Sequence, residues 1–295
     1  MNEGKSKGPV VLLVLDGWGI APDGPGNAIA LAKKPNFDRL LKEYPNTKLE
    51  AAGEAVGLPM GEDGNSEVGH LNIGAGRVVL ESLPRINMSI VDGTFFSNKA
   101  LMKAVCRTKE GASLHLMGLV GSGGVHAYSD HLFALIQLAK REKLEKVYLH
   151  LFTDGRDSTP TEGKAIIKVL EDDLVSVGVG KIATLIGRYY AMDRDLRWER
   201  TEKAYEALTE VIESQSPEAI GALEKSYQRA ITDEFVEPVQ IGGKPEESRI
   251  KDGDAVIFFN FRIDRPRQLT KAFVLPDFEN TAMEIKGFDP YETTF

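Results

Sequence analysis

Cysteine is almost missing from this chain. Cys106 is the single one in 295 residues, which excludes an intramolecular disulfide framework and fits a reducing compartment. Five histidines are too few for a histidine-rich metal array, and one cysteine leaves a structural zinc site short of ligands. No apolar run approaches a membrane span, and the start MNEGKSKGPV lacks the apolar core of a signal peptide. A cytoplasmic protein with no membrane partner is expected. Basic charge is also short: 36 Lys and Arg against 44 Asp and Glu give a net charge of −8, which argues against a general nucleic-acid binder. Any anion site must therefore be local. Internal repeats and low-complexity tracts are absent, and nothing in the composition suggests disorder.

What is present is an alternation of short apolar runs with longer amphipathic ones, the pattern of a parallel α/β protein. Strands are expected near 9–15, 47–51, 113–119, 147–152, 181–187 and 255–260. Helices are expected near 35–44, 83–92, 97–108, 129–142, 161–176, 197–214 and 217–229, where apolar residues recur at three and four. Pro35 and Pro217 suit first-turn positions. The Gly-, Pro- and charge-rich segment from Glu234 to Asp254 reads as irregular chain or a short hairpin. A boundary is expected between Leu80 and Pro84, where the glycine-rich LNIGAGRVV gives way to regular alternation, so that residues 1–80 and 81–295 form two domains.

The stretch Gly64-Asn65-Ser66-Glu67-Val68-Gly69-His70 sets a serine among small and polar residues, as a close ligand approach would require. A hydroxyl becomes a useful nucleophile when a base or metal ion draws off its proton. Asp16 is the candidate: it ends the apolar run Val10–Leu15, read as a strand buried on both faces, and open α/β sheets gather ligands at the carboxyl ends of their strands. A carboxylate and a serine oxygen are hard donors suited to a Mg- or Mn-type ion. The plainer alternatives stay open, because Asp-Gly after a strand is often a turn and a serine between Asn and Glu often caps a helix.

Three expected strands run into arginine. Residues 147–152 lead to Thr153-Asp154-Gly155-Arg156-Asp157, residues 181–187 to Arg188, and residues 255–260 to Phe261-Arg262. A fourth, 113–120, leads to the loop Gly121–His126. In one parallel sheet these loops share an edge. Arg194 follows Arg188 and Arg265 follows Arg262, at separations that let paired guanidiniums face one pocket. Such forks bind carboxylate and phosphate bidentately, so a small substrate carrying both anions is implied. Asp157, Asp193, Asp195 and Asp264 lie beside the arginines and could orient or neutralise them. His126, in its glycine-rich setting, is expected near the ligand. His115, His131 and His150 are expected to be structural, and Tyr189, Tyr190 and Trp198 to be core or pocket wall. The plain alternative, surface arginines paired with surface aspartates, loses ground because the feature repeats behind three strands.

Seven motifs in order carry a resemblance: LDGWG (15–19), GNSEVGH (64–70), GAGR (74–77), GGVH (123–126), TDGRD (153–157), GRYYAMDRD (187–195) and FRIDRPRQ (261–268). Together they resemble the N-terminal part of the cofactor-independent (2,3-bisphosphoglycerate-independent) phosphoglycerate mutase family. The resemblance implies an α/β chain with a partial alkaline-phosphatase-like domain, residues 1–80, carrying the nucleophile and metal. An inserted α/β phosphotransferase domain, residues 81–295, would bind substrate. It implies that Ser66 takes the phosphoryl group of 2- or 3-phosphoglycerate in glycolysis, with Asp16 and Ser66 belonging to a metal site that holds two Mn²⁺ ions when complete, Mg²⁺ or another divalent ion being an alternative. It implies that His126, Arg156, Asp157, Arg188, Arg194, Arg262 and Arg265 hold the substrate, and that the protein is a monomer needing no 2,3-bisphosphoglycerate.

Glu62-Asp63 stands where the family commonly has Gln-Met, Gly121-Ser122 where Ser-Asp is common, and Ala127-Tyr128 in place of Ser-His. Family members continue beyond this length with a lysine and most metal ligands. The resemblance therefore implies a chain inactive by itself, to which a complementary C-terminal chain could bind. A metal-dependent phosphatase-like hydrolase and a non-catalytic phosphoglycerate-binding half remain as alternatives.

Overall fold

Seven consecutive buried residues, LHLMGLV, form strand β1 (Leu114–Val120), and a run this apolar is stable as a strand only with cover on both faces. The computed structural model describes residues 8–275 and Phe278. The chain divides after Pro84 into two compact units.

In the second unit the remaining strands are β2 (Val147–Thr153), β3 (Lys181–Gly187), β4 (Gln215–Ser216), β5 (Val239–Ile241) and β6 (Ala255–Phe258). They form one sheet in the order β4-β5-β3-β2-β1-β6. β1 pairs parallel with β2 and β6, and β2 with β3, so these four strands point the same way. β5 runs antiparallel to β3 at the far side and carries β4 parallel to itself. Both strands lie where loop or helix end was expected, and at three and two residues they are too short to show a period. β5 also shows that segment 234–254 is not a free-standing hairpin.

The expected helices of this unit follow their apolar stripes: α4 (Ser82–Val91), which begins at the end of the first unit, α5 (Lys99–Lys109), α6 (Ser129–Arg141), α7 (Gly163–Val177), α9 (Trp198–Thr209) and α10 (Ala219–Gln228). Shorter ones are α8 (Arg188–Ala191), α11 (Pro245–Ser248) and α12 (Arg267–Val274). Asn98 caps α5 by accepting from Ala100 N and Leu101 N, and Gly178 in the left-handed region ends α7. Pro217 falls two residues before α10, whose cap is Glu218, so it precedes the first turn. Leu149, Leu151, Phe152, Ile167 and Leu185 are fully buried between sheet and helices. Each such side chain contributes roughly 1.5–3 kcal/mol by leaving water.

Two histidines expected to be structural form a relay through the sheet. His115 Nε2 donates to Asp254 Oδ2 (3.2 Å), leaving His115 Nδ1 to accept from His150 Nε2 (2.9 Å) and His150 Nδ1 to accept from Thr184 Oγ1 (3.0 Å). Burial holds both imidazoles below their ordinary pKa, so the chain of bonds is neutral apart from Asp254. His131 Nε2 donates to Asn87 Oδ1 at 2.9 Å.

The first unit contains α1 (Ala28–Leu31), α2 (Pro35–Glu43) and α3 (Ser66–Ala75), with Pro35 in the first turn of α2 as expected. The strands expected at 9–15 and 47–51 are not formed: both segments are irregular, and Val10 to Leu15 are between 40% and 100% exposed. A strand is held by its neighbours' backbone groups, and among the described residues of this unit no strand lies beside either segment. Its buried core is the small cluster Val56, Leu58 and Val68.

Candidate functional site

Ser66 is the first residue of α3, and the serine-as-cap alternative fails on geometry. The cap is Asn65, whose side chain accepts from Val68 N at 3.0 Å, leaving the Ser66 hydroxyl uncommitted to the helix. That hydroxyl donates to the Asp16 carboxylate, with Oγ 2.7 and 2.9 Å from its two oxygens. The two residues are 50 positions apart and meet as the sequence suggests, although Asp16 follows an irregular segment rather than a strand. Gly64 lets the chain arrive: a Cβ there would lie 1.7 Å from the Ala51 carbonyl oxygen. The free N–H groups and positive dipole end of α3 favour negative charge beside Ser66.

Asp16 and Ser66 are oxygen donors of the kind that hard divalent ions take, but they fit such an ion in kind and not in number. Among the described residues no group of three or more His, Cys, Asp or Glu side chains could hold a metal ion.

In the second unit the carboxyl ends of β1, β2, β3 and β6 share one edge, and the loops that follow carry the other expected residues. Arg188 and Asp154 are each 2% exposed, and Arg188 Nη1 donates to Asp154 Oδ1 (2.5 Å) and Asp157 Oδ2 (2.6 Å). A pair this deep is costly to break, because either charge left alone would be buried without compensation. His126, 4% exposed, lies between Asp157 (Nε2 to Oδ2, 3.6 Å) and Asp264 (Nδ1 to Oδ1, 3.7 Å). Asp264 Oδ2 accepts from Arg194 Nη1 at 2.6 Å, and its Oδ1 lies 3.3 Å from Arg262 Nε. Arg265 Nη1 donates to the Met192 carbonyl (3.1 Å), and Arg156 Nη1 reaches Glu234 (3.4 Å).

The electrostatics confirm that these groups feel one another. Burial, then the charges of Arg188 and Arg262, push His126 down to about 4, so it is neutral at pH 7. Arg265 is lowered by burial and by Arg188, Arg194 and Arg156. Burial works to raise Asp157 and Asp264, but Arg188 in the first case and Arg194 with Arg262 in the second hold them below the usual aspartate value. His126, Arg156, Asp157, Arg188, Arg194, Arg262 and Arg265 thus form one cluster. Asp193 holds its own loop instead, accepting from Asp195 N and Arg197 N. Tyr189 packs on Tyr190 and Phe235, with Arg200 above its ring.

Backbone ties fix the loops to one another. The His126 carbonyl accepts from Phe261 N (2.9 Å) and Arg262 N (3.3 Å), and Asn260 Oδ1 accepts from Leu119 N (2.9 Å). Asp154, Asp233 and Glu234 were missed as contributors. Asp154 accepts from the backbone N–H groups of Arg156 and Asp157 as well as pairing with Arg188, and its place ahead of Gly-Arg-Asp was the available signal. The turn Asp233–Phe235 sits against the loop after β2. Asp233 Oδ2 accepts from Gly163 N (2.7 Å), its Oδ1 accepts from Tyr227 Oη (2.5 Å), and its carbonyl accepts from Thr153 Oγ1 (2.7 Å). Gly155, at φ +65°, has no room for a Cβ, which would lie 2.7 Å from Glu234 N. No sequence period announces this packing.

The profile of the family described as BPG-independent PGAM N-terminus matches residues 86–293. A 2,3-bisphosphoglycerate-independent phosphoglycerate mutase of Clostridium perfringens (strain SM101 / Type A) is 57% identical over 287 residues, covering 96% of this chain and 54% of that protein. A protein of the same name from Moorella thermoacetica is 56% identical over 274 residues, covering 92% of this chain and 53% of its own length. Among solved structures, Leishmania mexicana phosphoglycerate mutase, studied at low cobalt concentration, matches with a TM-score of 0.69 at 31% identity, covering 90% of this chain and 51% of that one. The chain spans about half the length of the relatives it matches. With its α/β architecture and its matched motifs, it belongs to the family of 2,3-bisphosphoglycerate-independent phosphoglycerate mutases, corresponding to their N-terminal part.

Proposed function

We propose that this chain is the part of a phosphoglycerate mutase that supplies the phosphoryl acceptor and the substrate cage. Ser66 takes the phosphoryl group of 3- or 2-phosphoglycerate, and the group then returns to the other hydroxyl of the retained glycerate. Asp16 accepts the hydroxyl hydrogen bond and draws Ser66 toward its nucleophilic form, while the N-terminus of α3 faces the incoming charge. His126, Arg156, Asp157, Arg188, Arg194, Arg262 and Arg265 bind carboxylate, hydroxyls and phosphate. By keeping glycerate they make the second transfer effectively intramolecular. Residues up to Pro84 act as the alkaline-phosphatase-like part and the rest as the phosphotransferase domain. Mn²⁺, or Mg²⁺ in its place, is the ion that Asp16 and Ser66 would help to hold, and bound there it would lower the hydroxyl's pKa and offset phosphoryl charge. The chain alone is expected to be inactive as an isomerase, because the two oxygen donors brought together among the described residues do not complete such a site.

The observation that carries this reading is the convergence of five arginines and a neutral histidine from four loops at one sheet edge. Titrating the chain calorimetrically with 3-phosphoglycerate tests it. Binding is expected, weakened roughly tenfold or more in Arg262→Gln by loss of a charge-assisted contact. Added Mn²⁺ should give no turnover from the chain alone. Undetectable binding, or binding indifferent to Arg262, would overturn the reading.

A further inference from the structure

We propose that Asp264 is a displaceable counter-ion, an internal carboxylate that occupies Arg194 and Arg262 until an anionic ligand takes them and that reclaims them to drive the ligand out. The proposal rests on the substrate cage described above. Four guanidiniums, of Arg156, Arg188, Arg194 and Arg262, pair there with four carboxylates, those of Asp154, Asp157, Asp264 and Glu234, and a fifth, of Arg265, lies close enough to feel their charges. A phosphorylated carboxylic acid brings more negative charge than this balance leaves uncompensated. Some internal anion must give way.

The carboxylates are not equivalent. Asp154 and its partner Arg188 are both deeply buried, Asp154 also accepts two backbone N–H groups, and Asp157 shares that same buried guanidinium. Breaking this group would strand charge out of water. Asp264 instead holds two arginines that are about half exposed, at 47% and 50%, the faces from which a ligand arrives. It fits its place poorly. Its buried Oδ1 is ion-paired with Arg262 Nε at 3.3 Å but receives no hydrogen bond, and it faces His126 Nδ1, which is buried and also without a hydrogen bond, at 3.7 Å. A buried acceptor left unsatisfied lowers the cost of moving it away. An incoming phosphate or carboxylate offers Arg194 and Arg262 a second oxygen pair and offers His126 a partner, whereas Asp264 can swing to water.

A positioning role for Asp264 and a competing role make opposite forecasts for Asp264→Asn, which keeps the shape and removes the charge. The chain, Asp264→Asn, Arg194→Gln and the double variant are titrated with 3-phosphoglycerate and, separately, with inorganic phosphate at low ionic strength. Asp264→Asn is expected to bind both anions about five- to thirtyfold more tightly, with slower release by stopped flow. The gain should shrink in the Arg194→Gln background, because the freed guanidinium is what captures the ligand. Unchanged or weaker binding in Asp264→Asn, with wild type still binding, would overturn this inference alone. The same holds for a gain that survives undiminished without Arg194, which would reflect overall charge. Tighter binding of inorganic phosphate without binding of 3-phosphoglycerate would support the counter-ion and count against the mutase reading. Failure of every protein to bind either anion would remove both.

Discussion

The two units use the same kind of apolar sequence to opposite effect. Leu114–Val120 lies wholly buried between β2 and β6, whereas Val10–Leu15, at least as apolar, is irregular and exposed. The difference is in the neighbours. β1 finds strands from the same unit on both sides, and each buried side chain then adds to a shared core. In the first unit the core is a cluster of three side chains, and its order comes from caps and turns such as Asn65 on α3. Apolar content alone does not make a strand; it also needs a neighbouring backbone to pair with, on one side at the sheet edges β4 and β6 and on both sides for β1.

The sharpest way to break this contrast is a pair of identical truncations. Leu151→Ala, fully buried in β2, should lower stability by roughly 2–5 kcal/mol in chemical denaturation, while Leu12→Ala should stay within about 0.5 kcal/mol. Equal effects would mean that residues 10–15 are buried in solution. Acid comes next. His126 and His131 are held at about 4 in the folded chain, chiefly by burial, against 6.5 for the free side chain. The unfolded chain therefore binds more protons between those values, so stability is full above pH 6.5 and falls as pH drops toward 4. The loss is on the order of 3 kcal/mol for each group at the acid end. His115 and His150 shift in the same direction, and all four belong to the second unit. Hydrogen exchange at pH 7, 5.5 and 4.5 should show protection of β1–β3 falling with pH; a flat profile would contradict the burial of these imidazoles. The smallest effect belongs to the first unit, where Asn65→Ala should weaken α3 by about 1 kcal/mol, read as faster exchange at Val68 and Gly69.

The same contrast governs how much was legible in the sequence. The four parallel strands and their helices could be read because each apolar run is followed by an amphipathic segment in the order a parallel sheet needs, and the arginines behind them fell on one edge as a consequence. Residue chemistry pairs Ser66 with Asp16, and the two are in contact although the strand invoked to place Asp16 does not form. The strands at 9–15 and 47–51 were over-read because a local pattern carries no record of partners. β4, β5 and the turn at Asp233 were invisible for the opposite reason. They are defined by what they touch, and a two- or three-residue segment has no period. Asp154 shows the limit at the site itself, since an aspartate that holds an arginine looks in sequence like one that meets a ligand.

The turn Asp233–Phe235 lies in a stretch whose composition suggests freedom to vary, yet it is the common abutment of three glycines, one in the loop after β2, one at the start of α7 and one at the end of β3. A methyl group at Gly155, Gly163 or Gly187 would come within 2.7 Å of Asp233 or of the Glu234 backbone. Gly155 and Gly187 adjoin Arg156 and Arg188, so bulk added at either would be transmitted to a guanidinium rather than absorbed locally. Tolerance to substitution should therefore run against ordinary expectation. Many helix-surface positions of this unit should accept a random library, while this glycine-backed turn and its three facing positions should reject nearly every change.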